Sequence, residues 1–490
     1  MKRPFFATAI ARVLTILTCL AMVYIPSVNA QSDAANDTAN NATEGVGSWE
    51  GALTLPSGSL RIVFHVAADD AGNLSSTMDS PDQGATGIPV TSTTFEAGKL
   101  TLNASAIGGT YIGTLSEDGQ TLSGQWSQGG MSLDLDLTKT DKPTKPNRPQ
   151  EPEGPFPYEE ADVSFDNETD NVRLVGTLTI PKSAGPHPAV VLVSGSGPQD
   201  RDESIMGHKP FLVLSDHLTR QGIAVLRYDD RGTAESTGDF SAATTKDLAN
   251  DAQAAVDFLK SRNDIDGSKI GVAGHSEGGL IAPILGVMPG NIAFIVMLAG
   301  PGLPGDEILR LQGGLMARAG GMSEPLIEKM LHVNSALYET AINAPEEEVE
   351  NALKETISDL KTSFDASTIA ALGLTAEREP QIIQQLSSPW FRYFLTYDPQ
   401  PVLEQLQIPV LSVIGEKDLQ VPAKENTEAI AMALKTAKNK NFSAKTLPDL
   451  NHLFQTANTG AVTEYAQIEE TFAPAALVII SDWILEQTGD

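Results

Sequence analysis

Short segments in which apolar and polar residues alternate fill the chain from Trp49 to about Leu137. Leu60–Val66 is one example, and turn sequences such as Ala71-Gly72-Asn73 separate the segments. A period of two with regular turns is typical of antiparallel strands. We predict a small all-β domain, a sandwich or a barrel, over residues 46–140. It has no evident cluster of catalytic groups, since its lone His65 falls mid-strand, so a structural, binding or oligomerising role is expected.

Prolines then recur through residues 141–158, which predicts a stiff, extended linker; a ligand for proline-binding domains is the alternative. Beyond it, Val172–Leu178 alternates as an exposed edge strand would. Apolar runs such as Ala189–Val193 fit strands buried on both faces of a parallel sheet, and segments such as Lys246–Ser261 have helical periodicity. This alternation predicts a doubly wound α/β domain over residues 159–490.

One long segment interrupts the alternation. Residues 305–398 have helical periodicity: Leu326, Met330, Val333 and Leu337 fall on one helix face. The segment is too long for a loop. We expect a helical cap over the edge of the sheet where open α/β sheets bind ligands.

The N-terminus resembles an export signal. Residues 1–30 combine early cations, a short apolar run and a sequence ending at Ala30 that resembles a signal-peptidase site, and residues 31–45 resemble a disordered spacer. A retained membrane anchor is the alternative, although the apolar run is short for a span. The single cysteine, Cys19, lies in this leader. We therefore expect an exported protein, periplasmic or extracellular, without disulfides or stable membrane insertion.

The chain is strongly acidic, with a formal net charge of −30 at pH 7. Such a surface repels nucleic acid and anionic membranes, so neither is an expected partner. Charge says nothing about the oligomeric state, which stays open.

The sequence Gly274-His275-Ser276-Glu277-Gly278 is the strongest chemical signal. It follows a predicted strand and precedes a predicted helix, which is the context of a nucleophile on a strained turn. Side chains at Gly274 and Gly278 would collide with the strand or the helix. Ser276 is therefore the predicted nucleophile; a plain glycine-rich turn is the alternative.

A serine hydroxyl needs a base, and two histidines follow Ser276. His452 lies in a loop directly after a predicted strand and is the predicted general base. His332 lies in the predicted cap, where we expect a packed histidine.

The base needs a carboxylate to orient its ring. Asp418 follows the predicted strand Val410–Ile414 and gives the chain order serine, aspartate, histidine. Glu416 and Asp449 are the rival candidates.

A tetrahedral intermediate needs two N–H donors. We predict the backbone of Glu277 and that of Ser196, which lies in a glycine-rich loop after an early strand. A phosphate-binding loop is the alternative for that loop, but no Gly-Lys-Ser/Thr follows it.

These residues resemble the α/β-hydrolase superfamily, and within it the group of serine-aminopeptidase-like and EstD-like esterases. The resemblance covers about residues 160–486 and is carried by Ser194–Asp202, Tyr228–Gly232, Gly274–Gly279, Asp418 and Asn451-His452. It implies hydrolysis of carboxylic esters without a metal or an organic cofactor. Two positions depart from the pattern: Ser194-Gly195 replaces the His-Gly of many relatives, and Ala234 stands where glycine is common.

The main hypothesis is an esterase that forms an acyl-enzyme on Ser276, with a small ester as substrate. A serine aminopeptidase acting on short peptides is the second hypothesis; it would use acidic groups such as Glu346, Glu347 and Glu348 of the cap to hold a free amine. The third hypothesis is an exported binding protein whose hydrolase domain is inactive.

Overall fold

The computed structural model describes residues 42–489 except 56–57, 70, 84, 129–130 and 145–146. The predicted signal peptide, with Cys19, and most of the predicted spacer lie outside the described residues. The last four spacer residues, Ala42–Gly45, form a 3₁₀ turn, and the Gly45 carbonyl accepts a hydrogen bond from the Trp49 indole. This end of the spacer is therefore part of the first folded region.

The first region is one antiparallel β-sheet in the order β4-β3-β2-β1-β10-β8-β7-β6-β5, with β9 paired to β8. Its core contains the buried side chains of Trp49, Phe64 and Tyr111. The hydroxyl groups of Thr93 and Ser76 bond at 2.8 Å between strands from opposite halves of this order, which shows that the sheet curls on itself. Its strands are β1 (Gly47–Leu55), β2 (Gly58–Ala68), β3 (Leu74–Ser80), β4 (Ala85–Val90), β5 (Ser92–Glu96), β6 (Lys99–Ala104), β7 (Gly109–Leu115), β8 (Thr121–Gln128), β9 (Met131–Asp134) and β10 (Leu137–Thr140).

The expectation that this region lacks a cluster of catalytic group types is wrong. His65 accepts or donates a hydrogen bond at both ring nitrogens, to Ser48 Oγ at 2.9 Å and to Asp79 Oδ2 at 2.8 Å. Sequence spacing could not reveal this set, because only the pairing of β1, β2 and β3 brings its three members together.

The linker does not stand free of the rest of the chain. The Arg148 guanidinium donates to the carbonyl oxygens of Gly207 and Ala466, at 2.9 and 2.8 Å. The Gln150 side chain accepts from the backbone N–H of Thr471 at 2.6 Å. The linker is therefore attached to two loops of the second region, which no sequence pattern indicated.

The second region contains an eight-stranded sheet in the order β11-β12-β14-β13-β15-β16-β17-β18. β12 runs antiparallel to both of its neighbours. The six strands β13 to β18 are parallel to one another. Val172–Leu178 is part of β12, so it is not the edge strand that was predicted; β11 covers it. The strands are β11 (Tyr158–Asn167), β12 (Val172–Pro181), β13 (His187–Val193), β14 (Ala224–Tyr228), β15 (Ile265–His275), β16 (Phe294–Leu298), β17 (Val410–Gly415) and β18 (Phe442–Leu447).

Helices cover both faces of this sheet. The central strands β13, β14, β16 and β17 are buried along their whole length, as expected for apolar strands between two helical layers. One face packs against α2, α3 and α11, and the other against α1 and α13. The described helices are α1 (Pro210–Arg220), α2 (Thr245–Lys260), α3 (Gly278–Gly286), α4 (Gly305–Ala319), α5 (Glu324–Asn343), α6 (Val349–Thr362), α7 (Ala366–Ala371), α8 (Glu379–Ser387), α9 (Pro389–Thr396), α10 (Gln400–Leu403), α11 (Ala423–Thr436), α12 (Val462–Tyr465) and α13 (Pro474–Thr488). The predicted class, an α/β fold preceded by an all-β region, is confirmed.

Helices α4 to α9 lie between β16 and β17 and share a core of their own. Met330, Val333 and Leu337 of α5 are buried in that core, and Leu280 of α3 joins it from the sheet side. The inserted helices therefore pack next to α3, the helix that begins two residues after Ser276. Among the described helices, none is both long enough and apolar enough to cross a membrane.

Candidate active site

Ser276 lies on a tight turn between β15 and α3. Its φ of +52° is in the left-handed region, which costs energy for a residue with a Cβ. The Ser276 N–H donates to the Leu298 carbonyl at 2.8 Å, so the end of β16 holds this turn in place. Strained backbone at a polar side chain is a feature of functional sites, and here it fixes the direction of the hydroxyl.

The glycines around Ser276 leave room for close backbone approach. A Cβ at Gly274 would lie 1.9 Å from the carbonyl oxygen of Gly278, and one at Gly278 would lie 2.2 Å from that of Val193. A Cβ at Gly195 would lie 3.1 Å from Ser276 Cβ. The turn can therefore form only with glycine at 274 and 278, and the loop after β13 passes directly beside Ser276.

Asp418 and His452 are hydrogen-bonded to each other, Oδ2 to Nδ1, at 2.8 Å, and both are buried. The other carboxylate oxygen of Asp418 accepts from the backbone N–H groups of Gln420 and Val421, each at 2.8 Å. The carboxylate is therefore fixed by its own loop, and it fixes the proton of the imidazole on Nδ1, which leaves Nε2 as the basic nitrogen.

The loop of His452 is shaped by the residue before it. Asn451 Oδ1 accepts from the N–H groups of Leu453 and Gln455, at 3.0 and 2.9 Å, which closes a turn around His452. The sequence indicated a loop here but not the role of Asn451 in shaping it.

The rival carboxylates lie elsewhere. Glu416 accepts from the Asp449 N–H at 3.1 Å and is exposed, and Asp449 pairs with Lys417 at 2.8 Å with its side chain 64% exposed. Neither is bonded to His452 among the described residues. His332 is exposed on α5, so the expectation that it is packed is wrong.

The His452 ring packs against the ring of His275, the residue before Ser276. The rings of His275 and His452 have centroids 4.8 Å apart, and His275 directly precedes Ser276. Within the described residues, no hydrogen bond joins Ser276 Oγ to His452. Contacts of this kind are often long or misaligned without substrate and tighten when it binds.

The backbone N–H groups of Glu277, on the serine turn, and of Ser196, on the loop after β13, have no hydrogen-bond acceptor within the part of the chain that the structure describes. The Ser196 hydroxyl is close enough to the Glu277 carboxylate to lower the pKa of that carboxylate. The neighbouring Gly195 N–H is already used by Glu203, at 2.8 Å. The Ser196 N–H therefore remains available, as does that of Glu277.

The Glu277 side chain was not identified from the sequence. It is buried and accepts from Thr245 Oγ1 at 2.6 Å and from the Trp390 indole at 2.8 and 2.9 Å. Burial raises the pKa of Glu277, and the hydrogen bonds from Thr245, Trp390 and Ser196 oppose that effect. Because Trp390 belongs to α9, this carboxylate connects the inserted helices to the serine turn.

The three acidic residues that could hold a substrate amine in the aminopeptidase hypothesis are exposed. Glu346, Glu347 and Glu348 are exposed at the turn before α6. Among the described residues, no group of three or more histidine, cysteine or carboxylate side chains is placed to hold a metal ion.

Comparison with known families decides the family. The family model described as serine aminopeptidase, S33, matches residues 209–456, just over half of the chain. The chain belongs to the serine aminopeptidase S33 family. This family match includes Ser276, Asp418 and His452, and the resemblance inferred from the sequence is confirmed.

A curated relative is the esterase EstD of Thermotoga maritima, which is 30% identical over 299 residues. The alignment covers 61% of this chain and 61% of EstD, so the chain spans about three fifths of that relative. Solved structures similar to this S33 family member include the Pyrococcus furiosus esterase PF2001, with 18% identity, a TM-score of 0.42 and coverage of 70% of this chain and 97% of the other. Another is a proline iminopeptidase of Mycobacterium smegmatis, with 14% identity, a TM-score of 0.41 and coverage of 67% and 100%.

Proposed function

We propose that the protein is a serine esterase that cleaves small carboxylic esters through an acyl-enzyme intermediate. Ser276 is the nucleophile, His452 the general base and Asp418 the residue that orients the base. The observation that carries the proposal is the 2.8 Å bond between Asp418 and His452 at the same edge of the sheet as the strained Ser276 turn. Hydroxyl, imidazole and carboxylate from three loops are the groups that acyl transfer needs.

In the first step, His452 Nε2 takes the hydroxyl proton while Ser276 Oγ attacks the ester carbonyl. Negative charge develops on the carbonyl oxygen, and the N–H groups of Glu277 and Ser196 donate to it. The protonated His452 then gives its proton to the leaving alcohol. Asp418 stabilises the imidazolium throughout.

In the second step, water enters in place of the alcohol. His452 removes a proton from that water, which attacks the acyl carbonyl, and the same two N–H donors hold the oxyanion again. Collapse returns the proton to Ser276 and releases the acid. Residues of this chain supply every group in the cycle, and the proposal includes no metal or organic cofactor.

The inserted helices α4 to α9 act as a cap in this proposal. Trp390 of α9 is bonded to Glu277, the residue after the nucleophile, and stacks on Phe394 with centroids 5.3 Å apart. Aromatic side chains from this helix would form the apolar wall against the acyl group. The all-β region lies outside this reaction and has a binding or structural role in the proposal.

An esterase is favoured over an aminopeptidase by the state of the acidic residues in the cap. An aminopeptidase needs a carboxylate beside the substrate amine, and Glu346, Glu347 and Glu348 face solvent instead. The hydrogen bond between Asp418 and His452 speaks against an inactive binding protein, because a domain that has lost catalysis has no reason to keep it.

We also propose that the protein is exported to the periplasm or the medium, because residues 1–30 resemble a signal peptide. N-terminal sequencing of the secreted protein tests this: the mature chain should begin directly after Ala30.

The full chain and its Ser276→Ala variant are tested against 4-nitrophenyl esters of increasing acyl length and against aminoacyl 4-nitroanilides. We expect ester turnover in the wild type and none above background in the variant. A fluorophosphonate probe should label Ser276, as located by peptide mass spectrometry. Faster anilide cleavage would replace the esterase by the aminopeptidase, and ester turnover unchanged in Ser276→Ala would reject the proposal.

A further inference from the structure

The residue before the nucleophile has partners that the proposed reaction does not use. His275 is buried and bonds through Nδ1 to Glu203 Oε1 at 2.8 Å and through Nε2 to the His452 carbonyl oxygen at 3.0 Å. Glu203 is also buried, and the same Oε1 accepts from the Gly195 N–H at 2.8 Å. One buried pair therefore connects the nucleophile turn, of which His275 is part, to two further backbone segments of the site.

We propose that Glu203 and His275 are positioning residues, a buried ion pair that holds the oxyanion loop and the base loop against the nucleophile turn. The inference rests on the esterase function proposed above. It assigns the pair a role in the rate of the reaction and no contact with the substrate.

The hydrogen bonds define the charge of the pair. A carbonyl oxygen and an ionised carboxylate only accept hydrogen bonds, and a neutral imidazole has one N–H to donate. With Glu203 ionised, His275 bonds to one acceptor of each kind, so both of its nitrogens donate and the ring is an imidazolium. Burial alone lowers the pKa of His275, but Glu203, the His452 carbonyl and Asp418 together raise it above the ordinary value.

The position of each bond explains what the pair does. Gly195 directly precedes Ser196, so the Glu203 carboxylate holds the backbone that presents the second oxyanion donor. The His452 carbonyl belongs to the base itself, so the His275 ring fixes the backbone from which the catalytic imidazole projects. Glu203 has a φ of +52°, a strained conformation that the carboxylate contacts offset.

An ion pair that only stabilised the fold would not need these particular acceptors. Catalytic groups displaced by about 1 Å lose on the order of a hundredfold in rate. Loss of either member should therefore lower kcat while substrate binding, which depends on the cap and the acyl pocket, changes little.

The test measures kcat and KM for a 4-nitrophenyl ester in Glu203→Gln, His275→Gln and the double variant. We expect each single variant to lower kcat by roughly ten- to a hundredfold with KM within about threefold. The double variant should be no worse than the poorer single one, because the two residues act as a unit. His187→Gln is the matched control: His187 is buried too, but it lies at the opposite end of β13, and kcat should not change.

If Glu203→Gln does not fold, Glu203→Asp is measured in its place. It keeps the charge but withdraws the carboxylate by one methylene, so it should fold and show an intermediate kcat. Hydrogen exchange of the full chain provides a second readout: amides of 194–203 and 449–456 should exchange faster in the variants than in the wild type.

Folded variants with lower thermal stability but wild-type kcat would overturn the inference and leave the esterase proposal intact. A folded wild type without Ser276-dependent ester turnover would overturn the esterase proposal, and the catalytic role of the pair with it. The two failures are therefore distinguishable.

Discussion

Two sets of serine, histidine and aspartate among the described residues can be compared, and only one is proposed to carry out acyl transfer. In the all-β region, Ser48, His65 and Asp79 form a continuous hydrogen-bonded row across three adjacent strands. In the α/β region, Asp418 is bonded to His452, and Ser276 lies on the neighbouring turn. The first set has both of its side-chain hydrogen bonds, whereas the second has only the bond between Asp418 and His452, so the number of hydrogen bonds is not the basis of the proposed assignment.

The backbone around each serine makes the difference. Ser48 is in the middle of the sheet, and β1 is paired with strands on both sides, so its peptide groups are used in the ladders. Ser276 is on a turn with a φ of +52°, and the N–H groups of Glu277 and Ser196 have no acceptor within the described residues. A developing oxyanion finds donors only at the second site.

The two histidines also differ in how many of their ring nitrogens are hydrogen-bonded. His65 has Ser48 on Nδ1 and Asp79 on Nε2, so both nitrogens are engaged. His452 has Asp418 on Nδ1, and no hydrogen bond of the described residues uses Nε2. In the row of Ser48, His65 and Asp79, both ring nitrogens are therefore occupied. In the pair of Asp418 and His452, Nε2 of His452 remains available to accept a proton.

The sharpest test of this comparison changes each serine. Ser276→Ala should lower kcat for esters on the order of 10⁶-fold, or to background, because the proposed nucleophile is lost. Ser48→Ala should leave kcat within about twofold. Equal losses in the two variants, measured with 4-nitrophenyl esters, would show that the all-β region takes part in the chemistry.

The carboxylates provide the next largest effect. Asp418→Asn should lower kcat on the order of 10⁴-fold, because an amide at this position favours the wrong tautomer of His452. Asp79→Asn is the matched change in the other set and should leave kcat unaltered. Steady-state kinetics at pH 7.5 measure both, and circular dichroism checks that each variant is folded.

Removing an indole N–H in each region should have a smaller effect on activity than changing the serine or the aspartate, and should again affect only the α/β region. Trp390→Phe removes a donor from the buried Glu277 carboxylate and should lower kcat/KM about tenfold, the value of one charge-assisted hydrogen bond. Trp126→Phe removes an indole N–H that donates to the neutral Gln128 amide at 3.2 Å, and activity should not change. A wild-type kcat/KM in Trp390→Phe would remove the proposed link between cap and catalysis.

The charge of His275 predicts a pH dependence of stability. Its pKa is raised in the folded state, so its contribution to stability is complete below the ordinary histidine pKa of about 6.5 and is lost as the pH rises through the raised value. Glu203, Asp418 and His452 are the titratable groups that face it. The stability difference between wild type and His275→Gln, from urea denaturation, should therefore shrink from pH 6 to pH 8.5; a growing difference would contradict the imidazolium.

The smallest effect is expected at His65. His65→Gln removes one partly exposed row of polar contacts, and the free energy of unfolding of the all-β region should fall by about 1 kcal/mol or less. Denaturation followed by Trp49 and Trp126 fluorescence measures it. A loss of several kcal/mol would show that the row is a structural anchor of the sheet.

Local sequence determined much of this protein. Period-two alternation predicted the all-β strands, short β-branched runs predicted the parallel strands, and Gly274–Gly278 between a strand and a helix predicted the serine turn. These features depend on neighbours in the chain, since a glycine that must avoid a collision or a strand buried on both faces leaves its mark within a few residues.

Only the tertiary structure decided which distant groups meet. Asp418 had two rivals in sequence, and the fold alone bonds it to His452 while it leaves Asp449 with Lys417. The pair of Glu203 and His275, the contact of Trp390 with Glu277 and the row on the all-β sheet have no signature in sequence spacing. Each of these contacts joins side chains from separate elements. The distance between such side chains is fixed by strand order, register and helix packing, which depend on the whole chain rather than on any one segment.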